Sequence, residues 1–235
     1  MHLSPDELTA LWLSAKIALC CMLACLPAGV AIAWLLARRD FRGKLLLEAF
    51  VQLPMVLPPV VPGYLLLVVF GNRGLVGGWL HEHFGVQLAF NWKGAVLASA
   101  TMAFPLMVQP VRLAFQMIDR RLEQAAATLG ASPWRVFATI SLPLAIPGIV
   151  AGSILCFSRA LGEFGATMAF VGNIPGETRT VPLAIYSALH QPGGEAAAAR
   201  LAALSIVLAF AAMLFSHLLS RRSERKLGYR LRAQA

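Results

Sequence analysis

Two charged side chains stand out because they lie in an otherwise apolar stretch. Arg159 and Glu163 are four residues apart, so on a helix they share a face and can form an ion pair. A charge at membrane depth is costly and usually faces protein or water. Two roles are therefore open: a structural ion pair, or a polar element near the outer mouth of a pathway that helps to receive an anion.

The residues that could bind ATP, bind a metal or catalyse a reaction do not have the spacing that these functions need. The sequence contains no G-x-x-x-x-G-K-[ST] motif to hold ATP phosphates, and no catalytic triad, metal-ligand or carboxylate pattern. The four cysteines lie in apolar runs without paired spacing, so packing is their expected role. We therefore predict a chain that is not an enzyme and binds no cofactor or metal. The cysteines are Cys20, Cys21, Cys25 and Cys156.

The composition requires that these residues be positioned by membrane helices. The chain is 58% hydrophobic and 13% charged, with a mean hydropathy of +0.70, which excludes an ordinary soluble globule. About 20 helical residues cross the ~30 Å hydrocarbon core. Windows of that length predict an all-α integral membrane protein with about five transmembrane helices, at approximately 10–36, 46–70, 94–117, 143–163 and 200–219.

The distribution of basic residues predicts the orientation. Fourteen Lys and Arg residues lie in or beside the loops after the first and third spans and in the tail, against four on the other side. This places the N-terminus outside and the C-terminus in the cytoplasm. The basic tail is expected to contact anionic membrane lipid, and Arg112 to extend back to the interface. Without a basic-aromatic surface pattern, the net charge of +9 does not indicate nucleic acid.

The second span is rich in proline. Pro54, Pro58, Pro59 and Pro62 fall within nine residues, and each removes a backbone donor. Such a helix must bend or unwind, which a membrane tolerates only where protein or water satisfies the freed carbonyls. The span either lines a pathway or is a kinked packing helix.

The segment 118–142 is polar and helix-forming, and it lies between two apolar runs. Gly130 occupies the position of a left-handed cap, while Ser132 and Pro133 are typical of a helix start. The pattern predicts a helix, a tight corner and a second helix, and Leu142-Pro143 ends the segment. Such a cytoplasmic segment suits a soluble partner, although an ordinary helical loop is the alternative.

This segment resembles the EAA loop of ABC-importer permeases. The pattern there is Glu-Ala-Ala, three residues, Gly, nine residues and Ile-x-Leu-Pro, and six positions are in register here. The pattern's Glu is replaced by Gln, and a Glu stands one place earlier. The resemblance implies a loop that lies in a cleft of a cytoplasmic ATPase and passes its movement to the membrane helices. The implied coupling residues are Glu123, Gln124, Ala125, Ala126, Gly130, Ile140, Leu142 and Pro143.

A second stretch is similar to the segment shared by molybdate- and sulfate-type permeases. It comprises GEFG at 162–165 and NIPGETRT at 173–180, and PMVLPP in the second span and GGEAAAARL before the fifth are most similar to the molybdate type. The resemblance covers nearly the whole chain. From this stretch and the proline-rich span, the candidate pathway residues are Pro58, Pro59, Arg159, Glu163, Phe164 and Gly165.

The resemblance implies one type I ABC-importer transmembrane domain over residues 1–235, with a coupling loop at 118–142. The expected location is the bacterial inner membrane. The implied function is translocation of molybdate by alternating access, with ATP hydrolysed by a separate subunit. The implied partners are a cytoplasmic ABC ATPase dimer, a periplasmic oxyanion-binding protein and a second permease copy that makes a homodimer.

Other functions are compatible with parts of this pattern. A permease of the same architecture could carry sulfate, thiosulfate or tungstate, because tetrahedral oxyanions share a geometry and the external binding protein can choose between them. An ion-coupled secondary transporter would use Glu163 as a proton carrier and usually shows internal repeats. A membrane scaffold would move no oxyanion.

Overall fold

The structure, a computed structural model, describes residues 4–232, with side chains up to residue 214 except residue 212. Within these ranges the chain forms helices and no strands, as predicted. The helices are α1 (Pro5–Arg38), α2 (Lys44–Val56), α3 (Val60–Phe70), α4 (Leu75–Phe84), α5 (Trp92–Met117), α6 (Arg120–Thr128), α7 (Pro133–Val136), α8 (Leu142–Leu161), α9 (Gly165–Val171), α10 (Val181–Leu189) and α11 (Glu195–Arg232).

Three helical stretches are long and apolar enough to cross a membrane: α1, α5 and the stretch Pro133–Leu161. They match the spans predicted at 10–36, 94–117 and 143–163. The pair α2 and α3 adds a fourth if two helices that meet at 112° count as one crossing. The span predicted at 200–219 lies on the incompletely described α11, so five spans and their orientation remain predictions. The lipid contact predicted for residues 220–232 lies outside the described side chains.

The proline-rich span breaks where the sequence predicts a bend. α2 ends at Val56, and α3 begins at Val60 after Pro58 and Pro59. The N–H of Val61 donates to the carbonyl of Pro58 at 2.8 Å, which closes the first turn of α3. Because two consecutive prolines cannot donate to the preceding turn, the helical ladder is interrupted here.

The segment after the corner runs directly into the next span. Helix α7 continues through a π-helical turn at Phe137–Ser141 into α8, which begins at Leu142, where the sequence predicts that the segment ends. The N–H of Leu142 donates to the carbonyl of Phe137, five residues back, and Pro143 follows with no N–H to donate. Helix α7, the π-helical turn and α8 therefore form one continuous rod. We refer to residues 118–142 as the coupling segment.

Helices α1, α5 and α8 form the packed centre of the chain. At Gly148 and Gly152 of α8, a side chain would meet the backbone of α5: a Cβ would lie 2.8 Å from the carbonyl oxygen of Pro110 and 2.6 Å from that of Met107, respectively. Lipid tails are as apolar as the side chains, so close packing of small residues replaces hydrophobic burial as the force between membrane helices. This contact fixes the rotation of α5 against α8.

Candidate functional site

Glu123 anchors the coupling segment to two membrane helices. Its Oε1 accepts a hydrogen bond from Ser141 Oγ at 2.6 Å and lies 3.0 Å from Nη2 of Arg38, at the end of α1. Arg38 also donates to the carbonyl of Ile118 at 3.1 Å, and its side chain is only 7% exposed. The carboxylate therefore faces inward and ties α6 to α1 and to the π-helical turn.

The corner has the predicted geometry. Gly130 has a φ of +84°, a left-handed conformation that favours glycine, and a Cβ there would meet no atom within 4 Å. Ser132 accepts a hydrogen bond from the N–H of Arg135 at 3.4 Å and caps α7, which begins at Pro133. The helix, corner and helix expected from the sequence are thus confirmed.

Beyond the corner, Phe137 connects the segment to the helix bundle. Its ring lies 5.5 Å from that of Trp134, 5.6 Å from that of Trp34 on α1 and 6.2 Å from that of Phe115 on α5. Aromatic pairs at such distances add to the packing energy. Trp134 and Phe137 are three residues apart, which places them on one helix face, and their rings are in contact.

Large apolar side chains remain exposed on the coupling segment. Leu122 is 50% exposed, Leu129 89% and Trp134 74%. These three side chains are left uncovered in an otherwise polar segment, so they are candidates for contact with a partner. Of the other predicted coupling residues, Gln124, Ala125 and Gly130 are exposed, while Ala126, Ile140, Leu142 and Pro143 are half-buried.

A cavity of about 320 Å³ separates the coupling segment from the end of α1. Its lining includes Trp34, Arg38, Glu123 and Gln124. In the adjoining loop, Lys44 donates a hydrogen bond to Asp40 at 2.8 Å, and this bond holds the pKa of the Asp40 carboxyl below its ordinary value.

At the other end of α8, the predicted ion pair is present. Arg159 Nη1 lies 2.6 Å from Glu163 Oε2, and Glu163 is 2% exposed. The second carboxylate oxygen, Oε1, accepts a hydrogen bond from the N–H of Ala166 at 2.9 Å, at the start of α9. The pair therefore fixes the turn between α8 and α9.

The candidate pathway residues lie around this turn. A Cβ on Gly165 would be 2.8 Å from the Cβ of Pro59, so α9 packs closely against the bend of the second span. The ring of Phe164 lies 5.3 Å from that of Tyr186 on α10. Pro58 is exposed at the bend. The structure thus brings together residues that are about one hundred positions apart in sequence.

Sequence reasoning missed several of these partners. Arg38 counted only toward orientation, and nothing in its spacing indicates a bond to Glu123. Arg112, which is expected to extend back to the interface, has a partner that the sequence does not indicate: its Nη2 forms an ion pair with Oε1 of Glu48 on α2 at 2.8 Å. Partners on separate helices leave no local signal in sequence, so these contacts required the tertiary structure.

The cysteines form a cluster that their spacing does not indicate. The thiols of Cys21, Cys25 and Cys156 lie within 4.8 Å of one another, and all three residues are buried between α1 and α8. Two of them share a face of α1, but the third comes from another helix. Because the third thiol comes from a distant part of the sequence, no short cysteine motif announces the cluster.

Comparisons with known proteins identify the family of the chain. Residues 26–225 match the family described as "Binding-protein-dependent transport system inner membrane component". The chain is 54% identical to the molybdenum transport system permease protein ModB of Escherichia coli (strain K12) over 228 residues, covering 97% of this chain and 100% of that protein. It is 54% identical to ModB of Haemophilus influenzae, covering 94% and 97%. Identity to the sulfate transport system permease protein CysW of Escherichia coli (strain K12) is 35%, covering 94% and 75%.

Solved structures share the fold at low sequence identity. A bacterial ABC transporter involved in the import of alginate matches with a TM-score of 0.75 and 19% identity, covering 94% of this chain and 80% of that one. The MetNI methionine ABC transporter in an inward-facing conformation matches with a TM-score of 0.73 and 14% identity, covering 94% and 99%. These likenesses support the fold expected for an ABC-importer transmembrane domain.

Proposed function

The chain belongs to the family of binding-protein-dependent transport system inner membrane components, and we propose that it imports molybdate as the membrane-spanning subunit of an ATP-driven transporter. It is a multi-pass protein of the inner membrane. The observation that supports molybdate as the substrate is the 54% identity to molybdenum permeases over nearly the full length of both chains. The lower identity to a sulfate permease makes sulfate the second candidate.

The permease works as one domain over residues 1–235, with five spans, the N-terminus outside and the C-terminus in the cytoplasm. Two copies form a homodimer, because an ATPase dimer offers two clefts and each chain has one coupling loop. A periplasmic oxyanion-binding protein delivers the substrate to the outer mouth. The chain itself is not an enzyme, and the ATPase subunits supply the energy.

The coupling segment transmits the movement of the ATPase. Leu129 and Trp134 enter the cleft of the ATPase, and Gln124 and Ala125 approach its walls. When the ATPase dimer closes, the force passes along the continuous rod of α7, the π-helical turn and α8. The bonds of Glu123 to Ser141 and Arg38 move α6 and the end of α1 with it. Alternating access then follows because the helices have two packed conformations, and ATP binding shifts the equilibrium between them.

The outer mouth is shaped by the turn between α8 and α9. The ion pair of Arg159 and Glu163 holds this turn, and Gly165 lets α9 approach Pro59. Phe164 and Pro58 border the same region. We assign these residues to the outer end of the pathway, where they set the shape of the opening.

Uptake by the purified complex in lipid vesicles tests this function. The permease is reconstituted with its ATPase, and the binding protein is added outside with radioactive molybdate. We expect uptake that requires ATP, the ATPase and the binding protein, and that excess unlabelled molybdate abolishes more effectively than sulfate. Transport by the permease alone, driven by a proton gradient, would favour the secondary transporter. If only sulfate or thiosulfate abolishes the ATP-dependent uptake, that anion is the substrate in place of molybdate. Competition by tungstate tests the remaining alternative.

A further inference from the structure

Helices α2 and α5 carry polar side chains at the spacing of one helix face. Gln109, Arg112 and Gln116 follow three- and four-residue spacing on α5, and Glu48 and Gln52 are four residues apart on α2. The 2.8 Å ion pair of Arg112 with Glu48 joins the two faces. We call these five residues the polar stripe.

The polar stripe borders an open groove of about 460 Å³, lined by Gln52, Gln109, Arg112 and Gln116 together with Pro110 and Leu113. The three glutamines are exposed, and the side chains of Arg112 and Glu48 are 25% and 21% exposed. Within the part of the chain that the structure describes, this groove is open.

The same two helices are apolar on their other side. Leu47 and Phe50 of α2 and Phe104 of α5 line a separate cavity of about 620 Å³ whose surface is almost entirely apolar. Leu47 and Phe104 on that side also pack against the buried core of α1, α5 and α8. Amides and a guanidinium facing lipid would lack hydrogen-bond partners, so the polar stripe faces protein or water.

The polar stripe extends into the membrane from the end of α5. Arg112 lies five residues before the last helical residue, Met117, and Gln109 lies eight residues before it. At ~1.5 Å per residue, these positions are about 7 Å and 12 Å from the helix end. On the proposed orientation that end is cytoplasmic, far from the outer mouth at Arg159.

We propose that the polar stripe is a transit site for a tetrahedral oxyanion in the cytoplasmic half of the pathway, shared by two copies of the chain. This inference rests on the proposed function. Two copies related by a two-fold axis bring together two Arg112 guanidiniums and six glutamine amides. A dianion of the molybdate or sulfate type matches two guanidiniums in charge, and its oxygens accept hydrogen bonds from guanidinium and amide N–H groups.

Glu48 keeps this site weak. In the unoccupied groove it neutralises Arg112, so an arriving oxyanion must compete with a carboxylate already 2.8 Å from the guanidinium. Conduction needs binding that is favourable enough for entry and weak enough for exit. Glu48 therefore speeds release of the oxyanion to the cytoplasm.

Variants of the ion pair test the site in the reconstituted complex. Hydrogen bonds to charged groups are strong enough that Arg112→Gln should lower molybdate uptake by about tenfold or more while ATP hydrolysis continues. Arg112→Lys should retain part of the uptake, because it keeps the charge. Arg42→Gln removes an exposed basic residue outside the groove and should transport normally. Uptake by Arg112→Gln equal to that of the unmodified protein would overturn the inference.

Thiol labelling measures occupancy directly, even for a variant that transports slowly. Gln109→Cys should react with an impermeant thiol reagent from the cytoplasmic side, and molybdate should protect it. Adding Glu48→Gln should shift this protection to concentrations lower by about tenfold, since the competing carboxylate is gone. Leu46→Cys, 75% exposed and on another face of α2, is the control that molybdate should not protect. The unmodified chain, with its native cysteines, gives the background.

The outcomes separate this site from the proposed function and from a lipid site. If the unmodified complex transports no molybdate or sulfate, the proposed function fails. If it transports but molybdate and sulfate leave Gln109→Cys unprotected, only the transit site fails. A defect of Arg112→Gln that appears in vesicles with anionic lipid and is absent in phosphatidylcholine vesicles would show an anionic lipid headgroup at Arg112 and would also overturn the inference.

Discussion

At the scale of single residues, each of two carboxylates connects separate helices. Glu123 bonds to Ser141 and Arg38, and Glu163 bonds to Arg159 and to the N–H of Ala166. Both are shielded, so each needs its partners to offset the loss of water. These carboxylates hold the two ends of α8 in position.

The ion pair of Arg159 and Glu163 allows a stability prediction. Arg159→Ala leaves Glu163 unpaired at 2% exposure, and we expect a loss of about 1–3 kcal/mol in unfolding free energy, less than for a fully buried pair because Arg159 is 30% exposed. Thermal unfolding in detergent measures the loss. The double variant Arg159→Ala, Glu163→Gln removes the unpaired charge and should recover part of it. An unchanged stability combined with slower uptake would instead make Arg159 a contact of the oxyanion.

At the scale of elements, the corner between α6 and α7 depends on backbone conformation. Gly130 is left-handed with empty space around its Cα, so strain rather than collision limits substitution there. The corner in turn sets the direction in which α6 leaves the rod of α7 and α8. A small backbone change here should therefore alter coupling more than folding.

We expect Gly130→Val to insert into the membrane normally but to uncouple transport from ATP hydrolysis. A left-handed β-branched residue costs about 1–2 kcal/mol, which the corner can relieve by changing its angle. The ratio of molybdate transported to ATP hydrolysed in vesicles is the readout. Gly78→Val is the matched control, because Gly78 lies in α4, has no positive φ and would place its Cβ no closer than 3.5 Å to its nearest neighbour. Normal coupling in Gly130→Val would argue against the docking role of the segment.

At the scale of the whole molecule, orientation decides whether an ATPase can reach the coupling segment. The positive-inside distribution predicts that residues 118–142 are cytoplasmic and that α4 is outside. The two segments also differ in composition. The coupling segment exposes Leu129 near basic residues, whereas α4 exposes Leu75 and lies in a stretch rich in glycine and aromatic residues. A single pair of surface positions can therefore test the topology.

Leu129→Cys and Leu75→Cys, replacing side chains that are 89% and 92% exposed, provide that pair. An impermeant thiol reagent should label Leu75→Cys in intact spheroplasts and Leu129→Cys only in inside-out vesicles. The physical reason is that translocating a basic loop is unfavourable. Labelling of Leu129→Cys from outside would place the segment beyond reach of any cytoplasmic ATPase and would invalidate the coupling mechanism.

Much of the architecture was predictable because it depends on neighbouring residues. Apolar windows located α1, α5 and α8, consecutive prolines located the break between α2 and α3, and Gly130 located the corner. Each of these signals acts within a few turns of helix. The π-helical turn that joins α7 to α8 leaves no local pattern in the sequence, so the continuity of these two helices required the structure.

The sequence by itself determined the membrane class, the broken span and a coupling segment suited to a soluble partner, since hydropathy and backbone preference are local properties. Only the tertiary structure decided which distant side chains meet: Arg38 with Glu123, Arg112 with Glu48, and Cys156 with the thiols of α1. Such contacts depend on the rotation and depth of each helix. Close packing of α8 on α5 through Gly148 and Gly152 sets that rotation, and the packing exists only once the whole chain has folded.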